Sequence, residues 1–123
     1  MSLRKSKEAD DDLDQFRQMD ESLGAYLDEC LRILDVDPEE RKASKPGRID
    51  KWRVENLWTR GIRIYRFKYE ELIPRIRILY MITPKFVYVT GIHSRDSLSN
   101  YSMADDPIVR AVKYWGKRRR GTL

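Results

Sequence analysis

Apolar positions follow two different rules along this chain, and the rule changes at Gly61. From Asp12 onward, Leu13, Phe16, Met19, Leu23, Tyr26, Leu27, Cys30, Ile33 and Leu34 recur at steps of three and four. That spacing predicts one stripe of an amphipathic helix. Asp37-Pro38 ends it, and Gly24 is the point where it divides if the segment is two helices. Residues 1 to 9 are polar and read as a frayed end. PEERKASKPGR, residues 38 to 48, reads as a polar loop. IDKWRVENLWTR, residues 49 to 60, reads as a short helix or an extended lead-in, closed in either case by Gly61.

Beyond Gly61 the segments IRIYRFKY (62–69), RIRILYMI (75–82) and FVYVTGI (86–92) are rich in β-branched and aromatic residues and alternate in type. These are strand features. Thr83-Pro84-Lys85 is short enough to join the second and third as a hairpin, which predicts an antiparallel meander. A polar loop spans 93–106, Asp106-Pro107 opens a last helix packing Ile108, Val112 and Trp115, and residues 117–123 form a basic tail. The expected fold is a single α+β domain over 1–123: an N-terminal helix or helical hairpin packed on a small antiparallel β-sheet, with a C-terminal helix.

Composition narrows the class. The 123 residues are 41% hydrophobic and 37% charged, so a core is affordable beneath a heavily charged surface. No apolar run approaches the ~20 residues of a membrane span, and the polar N-terminus carries no secretory apolar region, so a cytoplasmic protein is the expectation. Cys30, the single cysteine, leaves no intramolecular disulfide and no cysteine-based metal site, and its place in the apolar stripe makes it a small core residue. Net charge is +5, but residues 1–46 carry 13 acidic against 8 basic side chains and residues 47–123 carry 7 against 17. A second part so cationic is suited to a polyanion such as a phosphate backbone.

Side chains two apart on a strand share a face, so Arg66 and Lys68 point together from the first strand and Arg75 and Arg77 from the second. Neighbouring strands make these one cationic patch, with His93, Arg95 and Tyr101 at its end. No phosphate-cradling glycine loop of the GxxxxGK[ST] or GxGxxG kind occurs. His93, Ser94 and Asp96 cluster, but without a GxSxG nucleophile elbow. One histidine with no acidic cluster gives no expected metal site and no cofactor. Trp52, Trp58 and Trp115 read as core anchors.

YRFKY, RIRILY and GIHSRDSLSNY, in that order, resemble the successive sheet segments of the RelE/ParE superfamily of bacterial toxins, in particular its RelE-type messenger RNA interferases. That family shows two basic residues at i and i+2 on one strand, an R-[ILV]-[ILV]-Y strand, and an arginine six residues before a tyrosine near the chain end. Arg66 and Lys68, Arg77 to Tyr80, and Arg95 and Tyr101 hold those places, and the resemblance covers about residues 57–115. The family commonly opens with a short strand, for which residues 1–9 carry no pattern.

The resemblance implies the toxin of a type II toxin-antitoxin system. Such a toxin is a ribosome-dependent endoribonuclease that cleaves messenger RNA without metal, through its own 2′-hydroxyl, and is held inactive by an antitoxin on its basic face. In that reading Arg77 and Arg95 clamp the phosphate, Lys68 or His93 is the base, Tyr101 stacks on a base or transfers a proton, and Arg66 and Arg75 bind RNA. The alternative is a noncatalytic nucleic-acid- or protein-binding module on the same fold, as in ParE-type members that act on DNA gyrase.

Overall fold

The computed structural model describes residues 2–42, 48–95 and 106–123. In chain order the elements are β1 (Ser2–Lys5), α1 (Lys7–Met19), α2 (Glu21–Val36), β2 (Ile49–Arg53), α3 (Glu55–Trp58), β3 (Tyr65–Tyr69), β4 (Ile76–Ile82), β5 (Phe86–Ser94) and α4 (Pro107–Arg119). The strands form one sheet in the order β1-β5-β4-β3-β2. β1 runs parallel to β5 and the other neighbours are antiparallel. The α+β class expected from the pattern is the one observed, but the sheet is five-stranded and mixed where a small antiparallel one was expected.

One extra strand comes from Ser2–Lys5, which carries no strand pattern, and the other from 49–53, for which the sequence left a helix and an extended segment open. Ser2–Lys5 pairs with Phe86–Val89, so residues 2–9, expected within a frayed end, are ordered as strand and helix. Ser6 then caps α1, its Oγ accepting from the Ala9 N–H at 3.0 Å and donating to the Thr90 carbonyl at 3.1 Å. The helix therefore starts at Lys7, not Asp12. IDKWRVENLWTR resolves into both alternatives at once, strand β2 and then the single turn α3.

The apolar stripe over 12–34 is two helices, and the break is Asp20, not Gly24. Asp20 Oδ1 accepts from the Ser22 N–H at 2.9 Å, which caps α2 as α1 ends. Gly24 is instead a contact: a Cβ there would lie 2.4 Å from Arg17 Cγ, so glycine lets α2 approach α1. Leu13, Leu27, Cys30 and Leu34 are buried, with Phe16 and Leu23 packed against them, as the stripe required. Met19 and Tyr26, 76% and 44% exposed, fall outside it.

Both faces of the sheet are covered. α1 and α2 pack on Phe67, Ile78, Tyr80, Val87 and Val89. On the opposite face Leu57, Ile62, Ile64, Leu79, Met81, Ala111 and Tyr114 form a second cluster under α3 and α4. Double coverage explains why IRILYMI is a nearly continuous apolar run, buried at every position but its last. The C-terminal helix packs chiefly through Ala111 and Tyr114, with Ile108, Val112 and Trp115 at the margin. It also takes in Lys117, Arg118 and Arg119, the start of the expected basic tail. Among the described residues no helix is long and apolar enough to cross a membrane.

Candidate nucleic-acid interface

Strand register decides which charged side chains meet. Asp50 of β2 lies opposite Lys68 of β3, and Arg77 of β4 lies opposite His93 of β5. The β3–β4 register, Phe67 on Ile78, carried one residue further sets Lys68 opposite Arg77. Asp50, Lys68, Arg77 and His93 thus form a row across four adjacent strands. One step along, Trp52 lies opposite Arg66 and Arg66 opposite Leu79. Leu79 belongs to the α4-side cluster, which fixes the whole set on that face.

Strand β3 brings Arg66 and Lys68 together as expected from their spacing, and β4 places Arg77 beside them. Arg75 is not on a strand. It precedes β4 in the left-handed conformation, with φ of 66°, so it does not share a face with Arg77 by alternation. His93 and Arg95 do not both lie past a strand end either. β5 continues to Ser94, which makes His93 a strand residue. Arg95 is exposed just beyond, its N–H donating to the Arg75 carbonyl at 2.6 Å, so Arg75 and Arg95 meet at this end of the sheet. Tyr101 lies outside the described residues.

The patch is neither bare nor purely cationic. Arg77 is 5% exposed and His93 4%. Arg77 Nη2 pairs with Glu70 Oε1 at 2.5 Å, and Arg77 Nη1 donates to the Ile76 carbonyl at 3.0 Å. Lys68 Nζ lies 3.7 Å from Asp50 Oδ2. Burial, with the Arg77 charge adding to it, pushes His93 down to about 4, so its ring is neutral at physiological pH. Glu70 is pushed up by burial, but the Arg75 N–H, the Arg77 guanidinium and the Lys68 charge outweigh that and hold it below the ordinary carboxylate range.

Polar strain concentrates here. Among the described residues, besides Asp35 Oδ1 on α2, Asp50 Oδ1, Arg66 Nε, both ring nitrogens of His93 and Trp115 Nε1 are buried without a hydrogen-bond partner. Those of Asp50, Arg66 and His93 lie on this face and that of Trp115 on the helix packed against it. Buried polar groups are nearly always paired, so such a cluster marks a place shaped by something other than stability.

β5 is braced from behind. Asp12 Oδ2 accepts from the Ile92 N–H at 3.0 Å and from Arg110 Nη1 at 2.9 Å, tying α1 and α4 to the backbone next to His93. Burial pushes the Asp12 carboxyl up against the pull of those two donors.

Asp50, Glu70 and Asp12 were all missed from sequence. Asp50 required knowing that 49–53 is a strand. Glu70 lies in a turn, and Asp12 meets its partners 80 and 98 residues away. Trp52 and Trp58 are not core anchors. They are half-buried, with Lys42 Nζ 4.5 Å over Trp52 and Arg53 Cζ 4.3 Å over Trp58. Among the described residues no three histidine, cysteine or carboxylate side chains are grouped to hold a metal ion. No protein-family model, curated protein or solved structure matches this chain.

Proposed function

We propose that the chain is a RelE-type toxin that cleaves messenger RNA on the ribosome and is neutralised by an antitoxin. The observation that carries this reading is the row of Lys68, Arg77 and His93 set in register across three neighbouring strands, with Arg66 beside it. The edge strand Ser2–Lys5 adds support, since it supplies the opening strand that the family commonly has.

The chemistry follows from the groups in the row. Neutral His93 takes the proton of the RNA 2′-hydroxyl, and the 2′-oxygen attacks the adjacent phosphorus. Arg77 and Arg95 balance the charge that accumulates on the phosphoryl oxygens. The bond from phosphorus to the 5′-oxygen breaks, that oxygen takes a proton from the Lys68 ammonium, and the products are a 2′,3′-cyclic phosphate and a free 5′-hydroxyl. Arg66 and Arg75 hold the flanking backbone.

Burial of Arg77 and His93 favours a second reading, a module on the same scaffold that binds RNA or protein without cutting it. Single-turnover cleavage of messenger RNA on programmed ribosomes, with chelator present, separates the two. Arg77→Ala is expected to slow cleavage about 10²- to 10³-fold while RNA affinity changes less. RNA that is bound but left intact by the wild type in every ribosome complex decides for the binding module.

A further inference from the structure

Glu70 directly follows β3, and both of its carboxylate oxygens meet groups suited to an anion. Oε1 pairs with Arg77 Nη2 at 2.5 Å, and Oε2 accepts from the Arg75 N–H at 3.3 Å. The Arg75 N–H is presented from a left-handed backbone, the single positive φ at a non-glycine among the described residues. An arginine in that conformation stores strain, which persists where the surroundings require a particular backbone direction. Lys68, opposite Arg77 in the extended register, adds a second positive charge that acts on the Glu70 carboxylate. A guanidinium and a backbone N–H meeting one carboxylate, with the Lys68 ammonium, paired to Asp50, on the neighbouring strand, are the elements of a phosphate site, and a carboxylate is the side chain nearest to phosphate in its hydrogen bonding. The Arg77 side chain is 7% exposed and that of Glu70 is 37%, so the carboxylate is the more solvent-accessible member of the pair.

We infer that Arg77, the Arg75 N–H and Lys68 form a cradle for one phosphate group, and that Glu70 plugs it until an incoming phosphate takes its place. The inference rests on the reading of this face as phosphate-binding and adds to it a built-in competitor. Displacement moves Glu70 into solvent and puts two phosphate oxygens where its carboxylate oxygens were. No covalent bond changes. Binding is weaker in the wild type than the cradle allows, because the competent, unplugged state is a minor one.

The test is the affinity for inorganic phosphate and for a short single-stranded RNA, measured by calorimetry on the full chain. The variants are Glu70→Gln and Glu70→Asp, with Glu71→Gln as a control for the same charge change at the exposed neighbour. Glu70→Gln is expected to bind about tenfold more tightly, with a smaller gain for Glu70→Asp, whose carboxylate is one methylene shorter. Glu71→Gln should change affinity by no more than about twofold, and adding Arg77→Ala to Glu70→Gln should abolish the gain. A gain for both ligands supports the plug with RNA as the phosphate source. A gain for inorganic phosphate alone supports it with free phosphate as the source. No gain for either ligand, with both Glu70 variants folded by circular dichroism, overturns it: the pair then only closes the 70–75 turn. Wild-type cleavage without a Glu70 effect removes the plug and keeps the ribonuclease. A Glu70 effect without cleavage by any variant does the reverse.

Discussion

Acid should destabilise this protein through His93 as pH falls below about 6.5. His93 is 4% exposed, and burial outweighs a backbone interaction at Ser94 to bring it from the ordinary 6.5 to about 4. In the unfolded chain the imidazole takes up a proton near pH 6.5, whereas in the folded chain it does so only near 4. The unfolded state therefore binds more protons across that window, and stability falls as pH drops. The stabilisation is complete above about pH 6.5 and is lost as pH falls towards 4. At 1.36 kcal/mol per pH unit, roughly 3 kcal/mol disappears over the window, about 2 of it by pH 5. That is a large share of the ~5 to 15 kcal/mol that holds a domain of this size.

The assay is urea unfolding followed by tryptophan fluorescence, at steps from pH 8 to pH 4, on the wild type and on His93→Leu. Subtracting the two curves at each pH cancels every other titrating group. Glu8 is among these: burial pushes it up, but bonds from Lys113 and Tyr114 bring it from the ordinary 4.5 to about 2, so its contribution is lost only as pH falls from about 4.5 towards 2. The wild type should lose its advantage, or deepen its deficit, by roughly 3 kcal/mol between pH 7 and pH 4. A difference that stays flat with pH, or a ring that titrates by NMR near 6.5 in the folded protein, would refute the reasoning.

Three other outcomes follow from single contacts. Asp12→Ala leaves Arg110 and the Ile92 N–H without their shared partner, in a pair whose side chains are each 11% exposed, and chemical denaturation should show a loss of about 3 to 5 kcal/mol. Gly24→Ala gains helix propensity but drives a Cβ into Arg17 Cγ, so it should destabilise by ~1 to 3 kcal/mol, and equal or greater thermal stability would mean that the helices can part without cost. Single-stranded RNA binding should weaken with salt at a log-log slope of roughly −3.5, about 0.7 for each of the cations Arg66, Lys68, Arg75, Arg77 and Arg95, and a slope near zero would make the basic surface incidental.

Local pattern sufficed where local forces decide. The apolar steps of 13–34 placed α1 and α2 because one helical face must be buried, Asp106-Pro107 placed the start of α4, and the β-branched runs placed β3, β4 and β5. The i, i+2 spacing likewise put Arg66 and Lys68 on one face. Pairing partners were not legible. Ser2–Lys5 is a strand because Phe86–Val89 offers its backbone an edge, and backbone hydrogen bonds leave no signature in side-chain type. The same holds for β2, and with it for Asp50 opposite Lys68. Burial of Arg77 and His93 was hidden as well, since a guanidinium on a strand reads as solvated until a second layer of helix lies over that face. The sequence supplied the charges, and the tertiary structure decided which carboxylates stand against them. Ion pairs between distant segments depend on the register of strands and the seating of helices, and both are set by the collective burial of the core.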